Sequence, residues 1–330
     1  MSTSSTDEEG QGQLQANLPV VARHASPLHR AKSLLRRIGK RPAKGLGQHF
    51  LVNTRVLNNI LAAAQLDAQD TVIEVGPGLG ILTQELARRV ARVIAVELDA
   101  TLAEFLIESL AAYQNTTIVQ ADILRLDPAT LLQTEQGEME NRSAERPALQ
   151  MNQSPDTPMF SRLDQIRYKV VADLPYNIAA PVLRHFLETP ARPDLLVVMV
   201  QQEVARRMTA KPGEMSRLSI GIQLYGRPII VEKVAPRSFY PVPKVNSAIV
   251  RIEVFPKPAV DVPPDELFRV VRAGFSQPRK QLRNTLGAGL GLGTVKVEAI
   301  LVEAGIDPQR RPQTLSLEEW AALCRVIKGV

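Results

Sequence analysis

Between Thr71 and Gln201, short runs rich in Val, Ile and Leu alternate with stretches of helical period, and this alternation constrains the fold more than any other feature of the chain. The runs are Thr71–Val75, Arg92–Glu97, Thr117–Gln120, Lys169–Ala172 and Leu195–Gln201, with helices expected over Ile81–Val90 and Ala100–Tyr113. Strands joined through helices must run parallel and be covered on both faces, which predicts an α/β, doubly wound sheet. Two further runs, Ile229–Val234 and Ser247–Phe255, flank Pro241 and Pro243 and read as a closing antiparallel pair. Beyond Pro256, Pro258, Pro263 and Pro264 the composition becomes helical, with segments near 265–275, 278–287, 295–304 and 316–328. The expected organisation is therefore a domain over 41–255 hinged to a small helical domain over 256–330.

Two segments break the pattern. Residues 1–40 carry Arg30, Lys32, Arg36, Arg37 and Lys40 without a sustained apolar period, and read as a disordered basic arm, either a solvated leader or a contact to phosphates. Residues 133–165 are rich in Gln, Glu, Asn, Ser and Pro and read as a disordered insertion whose removal leaves the fold intact. The net charge of the 330 residues is +6, which suits a phosphate-bearing partner. With Cys324 as its single cysteine, the chain forms no intramolecular disulfide and no thiolate metal site, so no metal is expected. The start, Ser2 to Glu9, lacks the basic and apolar run of a signal peptide, and no apolar stretch approaches bilayer length. A cytoplasmic protein without a membrane partner is expected.

Glu74-Val75-Gly76-Pro77-Gly78-Leu79-Gly80 ends one strand and opens a helix, the place where glycines let backbone approach a ligand. Glu97 ends the next strand, where an acid accepts hydrogen bonds from ribose hydroxyls. A dinucleotide fingerprint spaces its glycines to seat a pyrophosphate on the helix. Here Gly76, Gly78 and Gly80 alternate, and the third falls one position early. S-adenosylmethionine, which has no phosphate, is favoured over a nicotinamide cofactor. Asp122, just past the third strand, either accepts a bond from the cofactor's adenine or caps a helix.

Asp173-Leu174-Pro175-Tyr176 follows the fourth strand at the carboxyl edge of the sheet. Methylation of an exocyclic adenine nitrogen requires acceptors for its hydrogens and stabilisation of the positive charge that develops. The Asp173 side chain and the Leu174 carbonyl would supply both, Pro175 would fix the backbone direction and Tyr176 would stack on the flipped base. An ordinary proline turn is the competing account of the same residues.

These motifs resemble those of the small-subunit ribosomal RNA adenine N6,N6-dimethyltransferase family over roughly residues 41–330. Lys44-Gly45-Leu46-Gly47-Gln48-His49-Phe50-Leu51 is similar to its entrance motif, and Asp173-Leu174-Pro175-Tyr176-Asn177-Ile178 to its catalytic segment. Gln202 to Arg207, Phe239 to Val245 and Phe275 to Asn284 resemble further family motifs. The resemblance implies a class I methyltransferase (Rossmann-like) fold, S-adenosylmethionine as methyl donor, and cofactor contacts from His49 and Leu51 beside Gly76, Gly78, Glu97, Asp122 and Asp173. It further implies two methyl groups placed on each of two adjacent adenosines in a hairpin near the 3′ end of small-subunit ribosomal RNA. The expected partner is that RNA within a pre-ribosomal particle, met by a monomer. Phe239 stacks on the base or simply packs, and Arg206, Arg207, Arg279, Lys280 and Arg283 line an RNA-phosphate face or are solvated.

Four departures from the family pattern stand out: Asp173 for Asn, Asn246 for Asp, Pro278 for Arg, and the long insertion. The alternatives are a large-subunit ribosomal RNA methyltransferase, whose glycine loop usually carries Lys where Leu79 stands, and a non-catalytic RNA-binding assembly factor for which Asp173 marks lost chemistry.

Overall fold

The computed structural model describes residues 26–42, 47–133 and 167–329. Residues 1–25 of the expected basic arm, Lys44 to Leu46 of the entrance motif and nearly all of the insertion lie outside the described residues.

Five parallel strands form the heart of the molecule: β2 (Thr71–Val75), β3 (Arg92–Glu97), β4 (Thr116–Gln120), β5 (Lys169–Asp173) and β6 (Leu195–Gln201). The short β1 (Phe50–Leu51) lies outside this sheet. The sheet order is β4-β3-β2-β5-β6, continued by two antiparallel strands, β9 (Ser247–Val254) and then the edge strand β7 (Gly226–Val234). Each inner strand is buried on both faces, as the continuous apolar run Leu195–Val200 requires. From β2 the chain winds outward through β3 to β4, then returns to β5 on the other side of β2. A crevice must open between the carboxyl ends of β2 and β5, where the winding reverses. The expected antiparallel closing pair is present, with β7 in register against β9 through a bulge at Ile230/Glu232.

In the expected helical C-terminal region, α9 (Pro264–Gly274), α10 (Leu282–Leu290), α11 (Thr294–Glu303) and α12 (Leu317–Lys328) follow α1 (Pro27–Arg37) and, among the described residues, seven helices of the sheet region. They do not build a core of their own. Leu267, Val271, Leu286 and the fully buried Trp320 belong to the same apolar cluster as Val198, Val250 and Ile252 of the sheet. The proline-rich stretch is correspondingly pinned: Phe255 N donates to Tyr225 O at 2.7 Å and Ala259 N to Leu224 O at 2.8 Å. The expected hinge is thus a packed junction, because the apolar faces of these helices have no other surface to cover.

The basic arm also needs correction. Residues 27–37 form helix α1, opened by Ser26, whose hydroxyl accepts from His29 N at 3.3 Å, with Pro27 in the first turn. Ala31 and Leu35 are buried against Leu102, Phe105, Leu106 and Leu110. Ala31, Leu34, Leu35 and Ile38 do carry the helical spacing, but over only two turns, interleaved with Arg30, Lys32, Arg36 and Arg37, so no sustained period marks it.

Candidate active site

The loop after β2 is built by glycine conformation. Gly76, Gly78 and Gly80 hold φ of 67°, 59° and 75°, left-handed values that other residues adopt only with strain. Space matters as much at two of them: a Cβ on Gly78 would stand 3.1 Å from the Phe50 ring, and one on Gly80 2.7 Å from Leu106. Gly76 brings this loop against the segment Asp173–Tyr176, the site of its Cβ lying 3.5 Å from the Pro175 ring. The two loops that the sequence singled out therefore touch at the crevice between β2 and β5.

Glu97 closes the other side. It is 6% exposed, and its carboxylate accepts from Gly78 N at 3.2 Å and from Asp99 N at 3.0 Å. Burial raises its carboxyl, and the two backbone donors pull it back. Glu97 thus holds the glycine loop in shape besides facing the cleft. Of the two readings weighed for Asp122 the cap is present: it caps the 3-10 turn Ile123–Arg125, accepting from Leu124 N at 3.1 Å, and the residue also lines the same cleft.

The segment Asp173–Tyr176 is fixed by β6 and β9. Leu174 N donates to Met199 O at 3.1 Å, and the Tyr176 hydroxyl lies 2.6 Å from Ser247 Oγ. The Asp173 side chain opens to the cleft but is ringed by protein, and this desolvation pushes its carboxyl well above the ordinary carboxylate range. Tyr176 is stacked on His49, ring centroids 5.4 Å apart and planes at 28°. His49 Nδ1 donates to Pro241 O at 2.7 Å. Leu51 belongs to β1, which pairs with β8 (Phe239–Tyr240), so Phe50–Leu51 and the first two residues of the Phe239–Val245 motif lie side by side.

Phe239 is not at the surface. It is 1% exposed and packs in the core with Leu51, Val197 and Ile249, so of its two expected roles the structure gives the packing one. The reason is register: opposite Leu51 in the β1–β8 pair, its side chain points into the core.

The basic candidates separate. Arg206 and Arg207, on the helix Gln202–Met208, line a second cleft together with Arg279 and with Arg311, which the sequence did not single out. Arg207 pairs with Glu203 at 3.1 Å, whereas Arg206, Arg279 and Arg311 are exposed. Lys280 is exposed outside that cleft. Arg283 instead turns to α11, 2.9 Å from Glu298, because it sits inside α10 on the face toward that helix.

Sequence reasoning also missed Glu74. It lines the first cleft, is 1% exposed, and leaves Oε2 buried without a hydrogen-bond partner. Its signal was an acid at the fourth position of an otherwise apolar buried strand, Thr-Val-Ile-Glu-Val.

A sequence profile of the ribosomal RNA adenine dimethylase family matches residues 40–328. The ribosomal RNA small subunit methyltransferase A of Dehalococcoides mccartyi strain 195 is 45% identical over 91% of this chain and 94% of its own length. That of Moorella thermoacetica is 40% identical over 91% of this chain and 97% of its own length. Among solved structures, the 23S rRNA methyltransferase ErmE superposes with a TM-score of 0.59 at 28% identity, covering 84% of this chain and 99% of that one. A dimethyladenosine transferase from Plasmodium falciparum gives 0.63 at 22% identity, covering 83% and 96%, a likeness of fold.

Proposed function

Because the chain belongs to the ribosomal RNA adenine dimethylase family, we propose that the cleft between the glycine loop and Asp173 is where its methyl transfer takes place, with Asp173 and the Leu174 carbonyl receiving the adenine amino group. The protein is an S-adenosylmethionine-dependent methyltransferase that dimethylates adenine in small-subunit ribosomal RNA. The observation that supports this assignment of the site is the contact of the two loops, Gly76 against Pro175, at the reversal of strand order.

The residues present suit the cofactor. Glu97 is placed to accept from ribose hydroxyls, Asp122 stands where an adenine amino group would need an acceptor, and Gly78 leaves backbone bare beside Phe50. His49 and Leu51 line the same wall. When bound, S-adenosylmethionine supplies an electrophilic methyl group on a sulfonium sulfur. Asp173 and the Leu174 carbonyl hold the hydrogens of N6, which aims the nitrogen and stabilises its growing positive charge. Tyr176, its hydroxyl tied to Ser247, presents a rigid ring to the base. Arg206, Arg279 and Arg311 form an RNA-phosphate contact.

In finer terms, the target is a pair of adjacent adenosines in a hairpin near the 3′ end of the RNA, modified by a monomer within a cytoplasmic pre-ribosomal particle. Transfer of label from methyl-labelled S-adenosylmethionine to under-methylated small subunits, followed by mapping of the modified bases, tests this. Label on two adjacent small-subunit adenosines is expected. Label on large-subunit RNA would favour the ErmE-like alternative, and no label would favour an assembly factor without catalysis.

A further inference from the structure

The cleft gathers acids with no lysine or arginine in its lining among the described residues. Glu74 on β2, Glu97 at the end of β3, Asp122 beyond β4 and Asp173 at the end of β5 all line it. The remaining titratable side chains of its wall are His49 and Tyr176, the latter neutral, with its hydroxyl raised above its usual range by burial. Of the cations beside the cleft, the exposed Arg125 meets Asp122 at 3.6 Å and Lys40 is taken up by an ion pair with Asp99, and neither faces Glu74.

Glu74 is the deepest of the four. Around it stand the Thr83 hydroxyl on the helix Ile81–Ala87, Glu97 on β3 and Asp173 on β5, two of them acids and none a cation. Oε2 has no partner at all. Burial, opposed by Thr83 and reinforced by Glu97 and Asp173, raises its carboxyl to about 8. At neutral pH the acid is therefore mostly uncharged until a cation arrives. The donor brings one, a sulfonium, while the spent product is a neutral thioether of nearly the same shape. Shape alone discriminates poorly between them; charge does not.

We propose that Glu74 is the counterion by which this protein tells S-adenosylmethionine from S-adenosylhomocysteine, carrying its proton when the cleft holds the thioether and losing it when the cleft holds the sulfonium. Exchange of product for fresh donor is then proton-coupled, and four methyl transfers to one RNA would require it repeatedly. The inference rests on the cleft being the cofactor site, as proposed above.

Calorimetric titration of the full chain with S-adenosylmethionine and with S-adenosylhomocysteine, near pH 7 in two buffers of different ionisation enthalpy, counts the protons released by each ligand. The parent should release up to about one proton more with the sulfonium ligand, and the affinity ratio of the two ligands should rise up to about tenfold per pH unit between pH 6 and 8. Glu74→Gln, which replaces a neutral acid by a neutral amide, should remove this excess, the ligands' own amino groups cancelling when variant is subtracted from parent. Asp173→Asn should keep it. Equal proton counts in the parent, or an excess that survives in Glu74→Gln and vanishes in Asp173→Asn, overturns the proposal while leaving cofactor binding intact. Affinity unchanged in Glu97→Ala would instead remove the cleft itself as the cofactor site. Should Glu74→Gln not fold, infrared difference spectra of glutamate-labelled parent decide: the protonated-carboxyl band should disappear with S-adenosylmethionine and persist with S-adenosylhomocysteine, and its persistence with both ligands overturns the proposal.

Discussion

The two clefts of this protein are opposite in charge and in burial. The first is walled by Glu74, Glu97 and Asp173, with Glu74 1% and Glu97 6% exposed; the second is rimmed by Arg206, Arg279 and Arg311, all exposed. Buried acids act at short range in a medium of low polarity, where salt screens them little. Exposed arginines act through displaced counterions and are strongly screened. One chain thus handles a small cationic donor and a large polyanionic acceptor by different physics. The two functions should be separable by mutation, by pH and by salt.

The sharpest break in that comparison is expected at Asp173. Asp173→Ala removes an acceptor preorganised at the amino nitrogen, and turnover should fall on the order of a hundredfold to a thousandfold, read in single-turnover experiments. RNA binding should be unchanged. Asp173→Asn keeps an acceptor and should stay within about tenfold of the parent. The two differ in pH dependence. Burial raises the Asp173 carboxyl well above the ordinary range, so the proton-bound form persists to higher pH than for a free carboxylate. Protonation turns one acceptor oxygen into a donor and removes the negative charge. Parent activity should therefore rise with pH across a window displaced toward neutrality, and the Asn variant should lack that limb. Full activity of Asp173→Ala would take this residue out of the chemistry.

Next in size is Glu97. Its loss removes acceptors for the ribose and also the anchor of Gly78 N and Asp99 N. Glu97→Ala should weaken S-adenosylmethionine binding by roughly 1.5 to 3 kcal/mol, the range for bonds to a charged group. Glu97→Gln keeps part of the anchoring and should fall between. Calorimetry on the folded variants separates them, and an unchanged affinity in Glu97→Ala would remove the residue, and with it the cleft it walls, from cofactor binding.

The same contrast explains what could be read before the fold was seen. The strands and the two loops were legible because each depends on local composition: apolar runs such as Leu195–Val200, and glycines where φ must be positive. The acids of the first cleft were legible where they follow a strand, as Glu97 and Asp173 do, while Glu74, inside a strand, was quoted with the loop and given no role. Helix α1 escaped because a two-turn apolar stripe is outvoted by its arginines. Phe239 was ambiguous because its direction depends on pairing with Leu51, a residue 188 positions away that no local pattern brings near. The grouping of Arg206, Arg207 and Arg279 with Arg311 depends on how the C-terminal helices settle on the sheet, and the diversion of Arg283 to Glu298 on the angle between α10 and α11.

The smallest expected effects belong to the second cleft, and they distinguish its arginines from one another. Each phosphate neutralised contributes roughly 0.7 to 0.9 to the slope of log affinity against log salt. Arg206→Ala and Arg279→Ala should therefore each weaken binding to small subunits modestly and flatten that slope by a little under one. Arg207, held by Glu203, should contribute less, since its ion pair must be broken first. Arg283→Ala should leave the slope nearly unchanged, because its guanidinium is already engaged with Glu298 and lies away from the cleft. S-adenosylmethionine affinity should be insensitive to all four substitutions and nearly insensitive to salt. Filter binding of subunits across a salt series, beside calorimetry with the cofactor, measures both. If Arg283→Ala flattened the slope as much as Arg206→Ala, the RNA would lie along α10 and not in the cleft that Arg206 and Arg279 share. If salt weakened cofactor and RNA binding equally, the division of labour between buried acids and exposed arginines would fail.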